Sequence, residues 1–563
     1  VESTATISNT GSMVVNADAG AGQAEAYGIY VDYLNGGTIT NTGSMTVNGG
    51  DDLDKVYGIY VNNGNGGTLT NSGVMTAGVW APDNIDLNNT GHITTRAASD
   101  SLVGGDYTQG AGGSLSFVAQ DSVTYGQLRV IGTADFSASN TLSVQVAGAN
   151  DLENGDQLLN VVSAGDLVGT GFTVTDNSAF WAFDTTVDGD TIDLTVHYLS
   201  AKGVLDDAGL DASSSLAALL DGVIAEGSEG EYAALAAALN TAATADDVVA
   251  IVEQVGPAIS GAAAQATRVA GQGVTNTLDA HMADVRGASS GDMLKDGAAW
   301  IKPFFGTAEQ GKLNGVSGYD VDSSGFVLGV DSAVASDWRV GLAFASSNSD
   351  VAGKGGTNLD IDTVQFIAYG SYAIDARTAL DLSLGVASNE YSQQRRAFAN
   401  SVGVADYQGT QVSLGANLSR SYKMNDHLTL IPAVVANVTQ VTVDGYREKG
   451  AAINLDVEEA TEDSILVAVK NSVEWTPTRK GAVLANVGVG YNAVDAASVT
   501  SSFAGNGPTF VTNGIEPEAF LITAGLGYRY VTAKNLEITA AYDLESRSEF
   551  LGNTASVKLK MPF

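Results

Sequence analysis

Gly287-Ala288-Ser289-Ser290-Gly291 satisfies G-x-S-x-G, the pattern in which a serine on a tight strand-to-helix turn attacks acyl carbonyls. Here the segment follows a helical stretch rather than a strand, so it lacks the elbow that exposes the hydroxyl and reads as a linker. His92, His197, His281 and His427 lie far apart and show no metal-ligand spacing. The chain has no cysteine, which excludes disulfides, thiolate metal sites and cysteine catalysis together. Gly49-Gly50-Asp51-Asp52-Leu53-Asp54 has the acidity of a calcium loop without the repeated nonapeptide, and the pairs Asp360/Asp362 and Glu458/Glu459 read as loop or strand-end charge. No catalytic, cofactor or metal site is expected in this chain, and its chemistry is that of scaffold and surface.

The first scaffold is a repeat. Thr6 to Met13 reads TISNTGSM, Thr38 to Met45 reads TITNTGSM, Thr68 to Met75 reads TLTNSGVM, and a degraded NNTGHIT begins at Asn88. Tyr-Gly-Ile-Tyr-Val occurs at Tyr27 to Val31 and at Tyr57 to Val61. A period of 30 to 32 residues built of β-branched runs and Asn/Gly turns predicts a right-handed parallel β-helix over residues 1–103. Asn9, Asn41, Asn71 and Asn89 recur in register, and stacked amides that satisfy one another explain them better than a ligand ladder. The first copy lacks its Tyr-Gly-Ile-Tyr-Val half and no capping coil precedes it, so a longer protein extending upstream of Val1 is expected.

Residues 104–200 alternate in short strands with an Asp188-Gly189 hairpin signal, predicting a β-structured terminal coil and sandwich-like cap. From 201 to 257 the composition turns to Ala, Leu and Asp with helical spacing (Leu216-Leu219-Leu220, Val248-Ile251-Val252-Val255). Asp211 to Ser214 give a start signal, Thr244 with Asp247 a capping box, and Pro257 a first-turn proline. A helix from Ala258 to Arg286 follows within the segment 258–290. At ~1.5 Å per residue it would be about 40 Å long, enough to thread a membrane barrel's ~25 Å apolar belt. Ala262, Ala263, Ala264, Ala266, Ala270, Gly271 and Gly273 keep it slim.

From 291 to 563 the pattern has period two. Val557, Leu559, Met561 and Phe563 face one way while Ser556, Lys558 and Lys560 face the other. Phe520 to Tyr530 repeats this with aromatics at both ends, and Leu428 to Val438 and Val364 to Tyr372 supply further rows. Twelve such strands are predicted, at 299–306, 323–333, 338–348, 360–373, 378–395, 404–422, 427–446, 462–476, 480–494, 517–530, 535–543 and 553–563. The expected fold class is all-β with a helical linker: a parallel β-helix followed by a 12-stranded antiparallel transmembrane β-barrel holding a pore helix. The candidate site is that helix, represented by Val274, Asn276, Leu278, Asp279, Met282, Asp284 and Arg286. Arg395, Arg396 and Arg447 are expected to pair with Asp279 or Asp284. Residues 1–290 carry 34 acidic and 6 basic side chains against 30 and 20 in the remainder, a balance that argues against nucleic acid.

This order of parts resembles a classical (type Va) autotransporter over the whole chain. Gly110 to Phe117 and Leu128 to Ala134 look like its autochaperone region. Ala299-Trp300-Ile301-Lys302-Pro303-Phe304, Gly318-Tyr319-Asp320 and Gly325 to Asp331 look like the first hairpin of its translocator domain. The resemblance implies a monomer in the bacterial outer membrane, surrounded by its lipids and escorted by periplasmic chaperones. It also implies insertion by the Bam machinery, which would recognise the terminal strand through Val557, Leu559, Met561 and Phe563, and an N-terminal passenger exported to fold outside the cell. Some family members cut the pore helix by Asn cyclisation at an Asn-Asn pair. Here only Asn276 matches, Thr275 occupies the cyclising position, and no cleavage by that route is expected.

Two functions remain open. The passenger is adhesive or structural and meets an unknown surface ligand, or these repeats are the stalk of an enzyme whose catalytic part lies upstream. A porin-like reading requires an open lumen.

Overall fold

The computed structural model describes residues 2–3, 6–17, 25–49, 55–97, 100–208, 214–226, 232–257, 262–287, 297–313, 316–354, 356–478, 480–494, 498–505, 507 and 509–562. They form two compact units, Val1–Ala208 with Ala217–Ile251, and Gly209–Leu216 with Val252–Phe563.

In the first unit each turn of chain gives one strand to each of three parallel sheets. One sheet stacks Thr6–Asn9, Thr38–Asn41, Gly67–Asn71, Ile85–Asn89 and Tyr107–Gln109, and the repeated motifs align residue for residue, Thr6 on Thr38 and Thr38 on Thr68. Ile39, Leu69 and Leu87 point inward and are buried. At the bend that follows, Gly43 packs on Gly11, Gly73 on Gly43 and Gly91 on Gly73 so closely that a Cβ would collide with the carbonyl oxygen of the coil before, which accounts for the glycine in every copy of Asn-Thr-Gly or Asn-Ser-Gly after the first. The turn spans between this sheet and the second are short and regular, 9 to 12, 41 to 44, 71 to 74 and 89 to 92. The corner leading to the third sheet varies, from Ala17 to Glu25, Gly49 to Lys55, Met75 to Gly78 and Thr95 to Ser101.

Within the stack, Asn9 donates through Nδ2 to Asn41 Oδ1 (2.8 Å), Asn41 to Asn71 (2.8 Å), and Asn71 to Asn89 (2.9 Å). Asn89 then donates to Tyr107 Oη (3.3 Å), whose hydroxyl donates to Gln109 (2.8 Å), so the column is self-satisfied as expected from its sequence. Tyr30, Tyr60 and Trp80 stack along the third sheet at 5.6 and 6.1 Å between ring centroids.

Residues 104–200 differ from the sandwich-like cap expected of them. Parallel pairing continues without a break through Thr173–Asp176, and only the hairpin Trp181–Asp188 with Thr191–Tyr198 is antiparallel, closing the third sheet. Gly189 takes φ +60° in that hairpin turn, where a side chain would be strained. Helices α1 (Ala201–Asp207), α2 (Ser214–Glu226), α3 (Ala233–Asn240) and α4 (Ala245–Val255) follow. The capping box forms: Asp247 N donates to Thr244 Oγ1 (3.2 Å) and Thr244 N to Asp247 Oδ2 (3.0 Å). The start signal at 211–213 and the acidic loop 50–54 lie outside the described residues.

The second unit is a closed barrel of twelve strands, β1 (Ala298–Gln310), β2 (Tyr319–Ala333), β3 (Trp338–Gly353), β4 (Thr357–Ala373), β5 (Thr378–Ala397), β6 (Ser401–Arg420), β7 (Leu428–Val443), β8 (Ala460–Thr478), β9 (Gly481–Val494), β10 (Phe520–Val531), β11 (Glu537–Arg547) and β12 (Phe550–Pro562). Each pairs antiparallel with the next, and β12 closes on β1 with Trp300 opposite Lys560. All twelve expected strands are present, several longer than read. Val557, Leu559 and Met561 face outward, as do Phe520, Ile522, Leu526, Tyr528 and Tyr530, while Ser556 and Lys558 are buried inside. One end of the barrel has short turns. The other carries the long connections 444–459 and 495–519, which build a small sheet from Tyr446–Arg447, Leu455–Val457, Ser498–Phe503 and Thr509–Asn513 that the sequence did not announce.

Candidate functional site

Helix α5 (Ala262–Gly287) occupies the barrel lumen. At ~1.5 Å per residue its length is about 39 Å, so it runs the height of the barrel. One face is small or apolar. Near the loop end Ala264 and Ala266 pack into a cluster with Tyr319, Ile361, Tyr391 and Val441, and farther down Val274, Leu278 and Met282 pack with Trp300, Phe304, Val327 and Ile367. Gly273 lies against Phe304, where a Cβ would meet Cε2 at 2.5 Å.

The polar contacts are specific. His281 and Asp331 have fully buried side chains and lie 2.7 Å apart, Nε2 to Oδ2. Asp331 also accepts from Tyr369 Oη (2.9 Å) and pairs with Arg339, while Trp300 Nε1 donates to Tyr369 Oη (2.8 Å). The His281 ring stacks on Trp300 with centroids 4.2 Å apart. One carboxylate thus gathers three donors from α5, β3 and β4, the arrangement a buried charge requires. Elsewhere around the helix Arg268 lies 3.4 Å from Glu462, Gln272 bonds Glu545, Thr267 Oγ1 meets Tyr391 Oη at 2.9 Å, and Gln265 bonds the carbonyl of Ile515. A cavity of about 180 Å³ adjoins Asn276 and Ala280, lined by Lys302, Lys470, Lys558, Glu474 and Asp543.

Of the sequence-predicted residues, Val274, Leu278 and Met282 are buried on the barrel wall, and Asn276 is half-buried at the cavity. The side chains of Asp279, Asp284 and Arg286 lie outside the described residues although their backbone is in α5, and Phe563 and the Ser289 segment lie outside altogether. The expected arginine contacts are corrected. Arg395 is committed to Glu448 (2.6 Å) and to the carbonyl of Ile453 (3.0 Å), Arg447 pairs with Asp456 in the loop sheet, and Arg396 packs at Gly356. Each lies at the loop end, away from the lower half of α5: β5, which carries Arg395 and Arg396, reaches the loops, and Arg447 stands in the connection 444–459.

His281 is the residue that sequence reading missed. Its signal was present in its placement seven residues after Val274 and three after Leu278, on the helix stripe that packs inward. The other histidines are peripheral: His92 touches Ser114 and Thr94, His197 touches Asp184, and His427 meets the carbonyl of Thr476. Among the described residues no group of three or more His, Cys, Asp or Glu is arranged to hold a metal ion.

A twelve-stranded barrel with an apolar exterior and a lumen filled by its own helix defines an outer-membrane β-barrel protein. Residues 299–543 match the family model described as the autotransporter beta-domain: the chain carries the translocator of a classical autotransporter and belongs in the outer membrane. It is 26% identical over 308 residues to outer membrane protein A of Rickettsia rickettsii, covering 49% of this chain and 13% of that protein. With outer membrane protein B of Rickettsia prowazekii the identity is 22%, covering 51% and 19%. The chain thus spans less than a fifth of the length of these curated relatives. Among solved structures it is similar to the translocator domain of autotransporter NalP from Neisseria meningitidis (14% identical, TM-score 0.42, 52% of this chain and 97% of that one). It is also similar to the transport unit of AIDA-I from Escherichia coli (10%, 0.35, 55% and 99%).

Proposed function

We propose that this protein exports its own N-terminal residues across the outer membrane and displays them on the cell surface, with α5 left in the lumen as a resident plug. The observation that carries the reading is chain connectivity: the segment between the coiled β unit and the first barrel strand is a lumen-filling helix. A connector that merely joined two domains would have no reason to bury Val274, Leu278, Met282 and His281 inside a barrel.

The Bam machinery and periplasmic chaperones are the proposed assembly partners, with the outward row Val557, Leu559 and Met561, continued by Phe563, as the recognised strand. Coils added one at a time outside bury apolar surface only on that side, which favours outward movement. We read the displayed part as structural or adhesive and non-catalytic. The self-satisfied asparagine column and the closely stacked aromatic column supply a scaffold, and sites for a surface ligand belong to its exposed edges. The test is an epitope placed at the 188–190 hairpin and probed with antibody on intact cells. Surface staining that disappears when residues 558–563 are deleted is expected, and staining only after permeabilisation of cells bearing the full chain would refute display. Deleting residues 262–287 and measuring conductance in a planar bilayer tests the plug.

A further inference from the structure

Helix α5 meets the barrel wall differently at its two ends. Near the loop end, apolar side chains from eight neighbouring strands, β12 and β1 to β7, close on its alanines; Phe550, Val351, Leu359, Tyr391, Tyr407 and Val443 are examples. Tyr391, Tyr407 and Tyr446 stack at 4.9 and 4.1 Å, adding a rigid aromatic wall. The remaining arc is closed by Arg268 with Glu462, by Gln272 and Arg547 on Glu545, and by Gln265 on the Ile515 carbonyl. Water crossing this ring has to displace made contacts, with only small cavities of about 50 Å³ beside Ala263, Ala264 and Tyr407 and of about 100 Å³ beside Val269 and Gln272 indenting it among the described residues.

Toward the turn end the helix is off-centre. The Asp331 cluster and the apolar group around Trp300 and Phe304 hold it against β1 to β4. Opposite lies the 180 Å³ cavity, walled by β6 to β12 and by Lys302 of β1; most of its surface is apolar, but Lys302, Lys470, Lys558, Glu474 and Asp543 line it. A space of that volume lined by five charged side chains holds water, since a single molecule needs only about 10–15 Å³ measured in the same way.

We propose that the permeability barrier of this barrel is the loop-end collar around Ala264 and Ala266, and that the turn-end half of the lumen is a blind aqueous vestibule. Holding and sealing are then separate tasks. His281 with Asp331 fixes where the helix stands, whereas Tyr391, Tyr407 and the alanines stop solute. The inference rests on the resident-plug reading.

The full chain is reconstituted in planar bilayers, with folding of each variant checked by the heat-dependent gel mobility of its barrel. Tyr391→Ala with Tyr407→Ala is expected to raise conductance several-fold, toward the value without residues 262–287, while His281→Ala changes it less than about twofold. A rise with His281→Ala, or none with the tyrosine pair, overturns the proposal. If removing 262–287 itself leaves conductance unchanged, the plug reading fails instead. The absence of cysteine permits a second readout: Ser472→Cys, at the vestibule, is expected to react with a small charged thiol reagent supplied on the turn side only. Labelling from the loop side, or from neither, also overturns it.

Discussion

Asn41 donates to Asn71 at 2.8 Å, 30 residues downstream, and each amide is fully buried. Every donor of the column points toward the C-terminal coils, and Tyr107 with Gln109 ends it. Replacing Asn71 by Ala strands a donor on Asn41 and an acceptor on Asn89. The expected loss is about 2 to 6 kcal/mol in urea unfolding of the coiled unit, from two unsatisfied buried groups at ~1–3 kcal/mol each. A loss under about 0.5 kcal/mol would mean that water replaces the amide and the column is dispensable.

Gly273→Ala sets two effects against each other. Alanine gains up to about 1 kcal/mol of helix propensity, but its Cβ meets the buried ring of Phe304. Overpacking at about 1–3 kcal/mol outweighs the gain, so the variant should melt at lower temperature, and Phe304→Leu should restore it. The double-mutant cycle gives the answer directly: additive effects would show that the two do not touch.

Asp331→Ala removes the acceptor shared by His281, Arg339 and Tyr369. We expect about 3–5 kcal/mol of destabilisation in reversible detergent unfolding, the range for breaking a buried pair from one side. Equal stability of variant and parent would place the cluster among contacts of no energetic consequence.

His92 is half-buried between coils, and burial lowers its pKa from the ordinary 6.5. The folded state therefore takes up a proton at lower pH than the unfolded state does. Stability contributed by neutral His92 is present above about 6.5 and is lost as pH falls through that value toward the folded pKa. Unfolding midpoints between pH 7.5 and 5 should fall more steeply for the parent than for His92→Gln, and identical slopes would remove His92 from the account.

The barrel was legible because its signal is local. Phe520 to Tyr530 shows inside and outside within eleven residues, whatever its neighbours, and the same holds for each strand. The His281–Asp331 pair spans 50 residues and Arg395–Glu448 spans 53, distances at which composition says nothing about partners. Residues 104–200 misled for another reason: alternation is the same in parallel coils and in a sandwich, and the step between stacked strands changes from coil to coil, with Leu87 on Tyr107, Tyr107 on Ala134 and Thr133 on Asp166, which hides the repeat. The lower helix charges Asp279 and Asp284 carried a sign but no address.

The coils of the first unit keep two corners at two to five residues and let the third vary, from the two between Met75 and Gly78 to the ten between Val146 and Gln157. Length can therefore be added or removed at one edge while Ile39, Leu69 and Leu87 stay stacked and inward. Such a protein can revise the outline it presents to its surroundings while leaving its folding instructions untouched, so novelty and foldability are written in different places along the same turn.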